Sequence, residues 1–260
     1  MNELTTDIKK LEIETLDNLK MSKAKNTIRA YKSDFNDFSL FCSKHNMKSL
    51  PSHPKTVSLY LTHLSKSSKF STLKRRLASI NVMHKYKGHY LDTKHPIIVE
   101  NILGIKRQIG VYQKAKKPLL FNELKQVIDQ IDQSKESDYK KLRNKSLILV
   151  GFSGGFRRSE LVAITKDDIE FVKEGVKIFV KKSKSDQSGE GMIKAIPSFK
   201  FVKYCPVDHL RNWMFENKNE LVFPISDKNV ALIIKKYALK AGLDEKKYAG
   251  HSLRSGFATT

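Results

Sequence analysis

Two short stretches carry residues whose types and spacing suit chemistry on a phosphate. The first is His251-Ser252-Leu253-Arg254, where an imidazole and a guanidinium stand at i and i+3 behind the turn residue Gly250. On a helix that spacing puts both groups on one side, and a base-capable ring beside a fixed positive charge can grip a phosphate while a proton moves. The second is Gly154-Gly155-Phe156-Arg157-Arg158-Ser159-Glu160-Leu161, a glycine turn that delivers Arg157. Each pattern has a plainer reading. Arg157 and Glu160 can form an ordinary i,i+3 ion pair worth ~0.3 kcal/mol, and His251 can be a structural histidine. The glycine pair is not a nucleotide-binding loop, because no Gly-Lys-Ser/Thr ending follows it.

The elements that must position these groups follow from periodicity. Ile28, Tyr31, Phe35, Phe38, Phe41 and Cys42 form one helical stripe, and Pro51 and Pro54 break the chain after it. Val57, Tyr60, Leu61 and Leu64 predict a second helix. Leu73, Leu77, Ile80 and Met83 predict a third, stopped near Gly88, with Lys74, Arg75 and Arg76 mainly off its stripe. A fourth starts near Pro96 and turns Ile98, Ile102, Ile105 and Ile109 inward. The charged, proline-closed segment Gln113 to Pro118 reads as a linker, so residues 1–116 form one helical domain and 117–260 a second. In the second, helices are expected near Asn122-Glu123-Leu124 and through Leu142, Leu147, Ile148 and Val150 to the glycine turn. Two β-like runs, Val176 to Val180 and Met192 to Ile196, flank the polar turn Ser183 to Gly191. Helices resume at Pro206 to Met214 and Asp227 to Ala241. Tyr237 lies on the last of these as a core residue.

Composition narrows the partner. With 260 residues, 40% of them hydrophobic, the chain has material for two cores and is not a disordered polyanion binder. Lys and Arg number 49 against 27 acidic residues, a formal +22, which points to nucleic acid first and an anionic membrane second. Residues 1–116 hold 22 basic and 9 acidic residues and so contribute +13. Part of the excess is lysine in a sequence also rich in Ile and Asn, as AT-rich coding favours. Lys74-Arg75-Arg76 is accordingly either a solvated helix face or a phosphate-contacting one. No apolar run nears the ~20 residues of a membrane span, and the polar N-terminus has no signal-peptide core. Cys42 and Cys205 show neither metal nor disulfide spacing, so a reducing cytoplasm is the expected compartment.

The order Gly-Phe-Arg157-Arg-Ser-Glu160-Leu, Lys-Ser-Lys184-Ser-Asp-Gln, Gly-His251-Ser-Leu-Arg254-Ser-Gly-Phe-Ala-Thr resembles the tyrosine recombinase (phage integrase) family, nearest its Cre-like and phage-type bacterial members. The resemblance spans nearly the whole chain. It implies a mainly α fold with a small antiparallel β-sheet: an N-terminal SAM-like helical core-binding domain, then a catalytic domain of the DNA breaking-rejoining type. It also implies site-specific recombination of double-stranded DNA through a 3′-phosphotyrosine link, by a homo-oligomer that is a tetramer on DNA, at the bacterial nucleoid. No cofactor, ATP or metal is implied, and no carboxylate cluster in the sequence suggests one.

By that resemblance Arg157 and Arg254 hold the non-bridging oxygens of a pentavalent phosphorus, a role that suits guanidiniums because they donate in pairs and stay charged. Lys184, with Lys182 as the alternative, is the general acid for the 5′-oxygen, and the plainer reading of Lys184 is a solvated turn residue. His251 shares proton handling or orients the phosphate, and Glu160 supports a basic group. Lys74, Arg75, Arg76, Arg158 and Lys182 are expected DNA contacts. The family nucleophile is a tyrosine well downstream of His-x-x-Arg, and the sequence given stops six residues after Arg254. The fold is therefore expected to be C-terminally incomplete, with apolar surface left open and no cleavage by this polypeptide. Neither Tyr248 nor Tyr237 is expected to substitute. The alternative function is a binding-only decayed integrase that occupies recombination sites.

Overall fold

A computed structural model describes residues 7–11, 13–15, 24–112, 116–181 and 190–259. The chain divides into two compact units, Met1–Gln113 and Lys114–Thr260. It is mainly α-helical, with one small antiparallel sheet.

Among the described residues of the first unit, besides helical residues 7–11 and 13–15, stand α1 (Lys25–Lys44), α2 (Pro54–Ser65), α3 (Phe70–Tyr86) and α4 (Pro96–Ile109). Two of them begin alike. His53 and His95 each accept a hydrogen bond at Nδ1, from the Lys55 and Ile97 amides, both at 3.2 Å, and a proline follows at the first helical position. Proline has no amide hydrogen to satisfy there and its φ is preset for a helix. The core gathers Phe38, Cys42, Val57, Tyr60, Leu61, Leu73, Ile80, Leu91, Ile98 and Ile105. One residue of the expected inward stripe departs: Ile109 stays 39% exposed, because α4 ends there and Gly110 turns the chain away.

The basic triplet of α3 is tied down by a residue the stripe pattern hides. Asp34 of α1 is buried, and its carboxylate accepts from Arg75 and, at 2.8 Å, from the Ser79 hydroxyl. Arg76 donates to the Asp34 carbonyl at 3.0 Å and lies 3.2 Å from its carboxylate and 3.4 Å from that of Asp37. Asp37 also accepts from the Tyr60 hydroxyl at 2.6 Å. Arg75 and Arg76 thus join α3 to α1, while Lys74 is exposed.

The second unit wraps around α6. Its helices are α5 (Phe121–Asp132), α6 (Asp138–Ser153), the single turn α7 (Arg158–Leu161), α8 (Pro206–Glu216), α9 (Asp227–Lys240) and α10 (His251–Thr259). Leu147, Ile148, Leu149, Val150 and Phe152 are all buried, so the C-terminal half of α6 is apolar around most of its circumference, as a core helix must be. The sheet has the order β1 (Ile169–Val172), β2 (Gly175–Val180), β3 (Met192–Pro197). Ile169 pairs with Ile178, and Val180 with Met192. The periodicity predicts β2 and β3 but not β1, whose four residues are too few for an alternation to stand out. Tyr237 is fully buried, as expected, with its hydroxyl 2.7 Å from Glu136.

Asp34→Ala leaves two guanidiniums and a hydroxyl without their shared acceptor and is expected to destabilise the first unit by about 2–3 kcal/mol. Lys74→Ala is expected to change it by less than about 0.5 kcal/mol. Urea unfolding followed by circular dichroism reads both, and equal effects of the two substitutions would contradict the assignment.

Candidate active site

The site grows from the end of α6. The Gly154 amide donates to Val150 at 2.9 Å and the Phe156 amide to Gly151 at 3.1 Å, closing the helix. Gly155 takes φ +55°, and a Cβ there would lie 2.8 Å from the Phe257 ring, so the turn requires glycine twice over. Phe156 is buried and fixes the exit of the chain.

Arg157 follows at the N-cap of α7. Glu160 grips it from both ends: one carboxylate oxygen accepts from the Arg157 amide at 2.9 Å, the other from its guanidinium at 2.6 Å. The Glu160 side chain is 2% exposed and that of Arg157 is 23% exposed. This is more than a solvated i,i+3 pair, since a buried carboxylate must keep its partner or pass a cost of several kcal/mol to the fold.

Arg254 reaches the same turn from α10, donating to the Gly155 carbonyl at 3.0 Å. The helix is seated by buried Leu253 and Ser252, by the Leu119 amide donating to Ser252 at 3.0 Å, and by Gly256, where a Cβ would overlap the Leu119 carbonyl. His251 is exposed at its first turn. Gly250 is needed for proximity: a Cβ there would overlap the stem of Arg158, which lies half-buried against the chain just before His251.

A third cation stands here that the motifs do not announce. Lys194 of β3 donates to the Gly154 carbonyl at 2.6 Å and the Gly155 carbonyl at 3.3 Å, with its amine 4.8 Å from the centre of the Phe156 ring. Burial pushes its pKa down; Arg254 and Arg157 push the same way, against Glu160. The strand period was the available signal, because Lys194 lies two residues before buried Ile196 and shares its face.

Lys182 and Lys184 lie outside the described residues. The stem they leave from is anchored, with Lys181 2.9 Å from Asp168 and 3.2 Å from the Thr165 hydroxyl. Tyr248 is buried, its hydroxyl 2.9 Å from Glu123, and burial followed by that carboxylate raises its pKa. Burial and Glu136 do the same to Tyr237. Each hydroxyl is thus hydrogen-bonded to a carboxylate. Among the described residues no group of acidic, histidine or cysteine side chains could hold a metal ion, and no helix is long and apolar enough to cross a membrane.

The family model described as Phage integrase family matches residues 117–260, and that of the phage integrase N-terminal SAM-like domain matches residues 15–89. The chain belongs to the phage integrase family. Among its relatives, an integrase/recombinase xerD homolog of Selenomonas ruminantium is 38% identical over 96% of this chain and 78% of that protein. A tyrosine recombinase of Thermosipho africanus is 26% identical over 91% of this chain and 79% of that one. Two solved structures share the fold of this integrase-family chain. The XerH site-specific recombinase bound to palindromic difH substrate, a post-cleavage complex, aligns with a TM-score of 0.59 at 20% identity, over 80% of this chain and 60% of that one. A lambda integrase tetramer bound to a Holliday junction aligns at 0.57 and 15%, over all of this chain and 76% of that one.

Gly155→Ala is expected to cost the second unit about 1–3 kcal/mol, from left-handed backbone strain and the contact with Phe257. Gly104→Ala, in the interior of α4 with nothing within 4 Å of its Cβ position, is expected to stabilise the first unit by about 0.5–1 kcal/mol. Thermal melts of the two variants test the opposite signs. A Gly155→Ala protein as stable as the parent would refute the turn's role.

Proposed function

We propose that the protein is a site-specific DNA recombinase of the tyrosine class, and that Arg157 and Arg254 act together on one DNA phosphate. The observation that carries this reading is the charge count at the Gly154–Gly155 turn. Arg254 and Lys194 donate to its carbonyls, Arg157 leaves from it, and Glu160 is the one carboxylate among the groups named with them. Three cations against one anion in a partly buried place repel one another, and a bound phosphate relieves that repulsion.

Each group then has a task. Attack on phosphorus by a tyrosine hydroxyl builds charge on the non-bridging oxygens, and two guanidiniums can meet it with paired hydrogen bonds. Departure of the 5′-oxygen needs a proton, which falls to Lys184 or to Lys182. β3 carries Lys194 at the turn, and Val180 pairs with Met192 two residues beyond it, roughly 7 Å along the strand. Lys184 is four residues past Val180, at most about 14 Å of extended chain, so the hairpin can bring it to the same phosphate. His251, exposed beside Arg254 on α10, orients that phosphate or shares the proton.

DNA is the partner. Lys74 and Arg75, exposed on α3, and Arg76 beside them contact the backbone, with Arg75 and Arg76 preset by Asp34, and Arg158 does so near Gly250. Assembly is on DNA as a homo-oligomer, as the dimer and tetramer complexes named for lambda integrase suggest by analogy. The setting is the cytoplasm, at the nucleoid. The domain division at 116/117 places the phosphate grip in the second domain and the α3 basic face in the first.

A second reading is favoured by the Arg75 and Arg76 side chains of the first unit, which Asp34 orders with no catalytic group involved. On that reading the chain occupies recombination sites without cutting them. Selection from a random duplex library followed by a nicked suicide substrate separates the two. The gene product read to its stop codon is expected to form a covalent protein–DNA adduct, reduced at least about 100-fold by Arg157→Ala. Tight sequence-specific binding with no adduct in either protein supports the binding-only reading. Binding that barely distinguishes the selected site from bulk DNA contradicts both. Lys74→Ala is expected to weaken binding evenly across sequences and reduce the salt slope by about 1, and an unchanged slope would remove Lys74 from the interface.

A further inference from the structure

A lysine on the inward face of a strand costs desolvation that a leucine would not, so its amine must do something the fold needs. Lys194 stands opposite Ile178 in the sheet and shares its face with buried Ile196. Its amine leaves the sheet for the carbonyls of Gly154 and Gly155 and sits over the Phe156 ring. Simple hydrophobic packing would place the strand against the turn as well. It would not supply donors to two carbonyls at a helix end, where the backbone is short of them.

The Gly155 carbonyl is shared. It accepts from Lys194 at 3.3 Å and from Arg254 at 3.0 Å, while the Gly154 carbonyl takes the shorter bond from Lys194, at 2.6 Å. We propose that Lys194 is a positioning residue of the phosphate site: it fixes the peptide turn from which Arg157 departs and on which Arg254 rests, and it ties the β2–β3 hairpin to both. Without its amine, the Gly155 carbonyl keeps Arg254 as its one named donor, and the Gly154 carbonyl loses the donor named for it. The guanidinium is then drawn onto the turn and away from an incoming oxyanion. The inference rests on the phosphate-site reading above and adds to it the group that holds the two arginines in register.

The test uses the whole chain labelled with 15N-arginine and inorganic phosphate as the probe, with the Nε–H resonances assigned through Arg157→Lys and Arg254→Lys. In the parent protein both resonances are expected to move with one dissociation constant. Lys194→Met is expected to raise that constant at least about tenfold, and Lys194→Arg, which keeps a cationic donor, to stay within about threefold. A merely structural lysine would not give rescue by arginine together with an unchanged melting temperature. If Lys194→Met fails to fold, Lys194→Arg, which keeps a cationic donor to the two carbonyls, carries the measurement, and a constant raised about tenfold or more in a folded Lys194→Arg protein overturns the proposal. A folded Lys194→Met protein that binds phosphate within twofold of the parent overturns it too. No shift in the parent protein overturns the phosphate-site reading and this proposal with it, so the two failures are distinct.

Discussion

The pair of carbonyls at Gly154 and Gly155 is the constraint around which the second unit is arranged. They follow the C-terminus of α6, the end of a helix at which positive charge is favoured and free donors are scarce. Lys194 arrives from the sheet and Arg254 from α10 to satisfy them, and Arg157 starts its own turn two residues on. A backbone feature that any helix possesses thus becomes the reason for three cations to stand together. Glu160 offsets part of that charge from inside, and what is left over suits a phosphate oxyanion.

The first unit solves a related problem with the sign reversed. There a buried carboxylate, Asp34, is the scarce group, and the guanidiniums of Arg75 and Arg76 come to it. Ordering two long side chains against a buried partner removes conformational freedom, so on the proposed reading a DNA contact there would have less of it to remove. The same bonds that join α1 to α3 therefore present Arg75 in a set direction on an exposed face.

How much of this was legible depended on the distance, along the chain, over which each signal acts. His251-x-x-Arg254 and the Gly-Gly turn could be read directly, because helical spacing and glycine punctuation are local. Helices α1 to α4 of the first unit were legible for the same reason. Asp34 was not: its partner Arg75 is 41 residues away, and on the helical pattern it is only one polar residue beside an apolar stripe. Tyr248 carries no local signal beyond its aromatic ring, and its bond to Glu123, 125 residues back, is invisible to any window. Lys194 was obscured by its neighbours Met192 and Ile193, which are apolar yet exposed and so invert the expected in–out pattern of β3. Burial of a charge is a property of the folded neighbourhood, and the sequence carries it only through strand period.

The arrangement makes a claim about a single atom group: both guanidiniums serve the same phosphate. Replacing one phosphate at a time by a neutral methylphosphonate along a selected DNA site, and measuring affinity at fixed salt, tests it most directly. One position is expected at which the neutral linkage costs the parent protein at least about tenfold, and at that same position the cost is reduced in both Arg157→Ala and Arg254→Ala and falls below about twofold in the double variant. Loss of sensitivity at two different phosphates in the two variants would contradict the account.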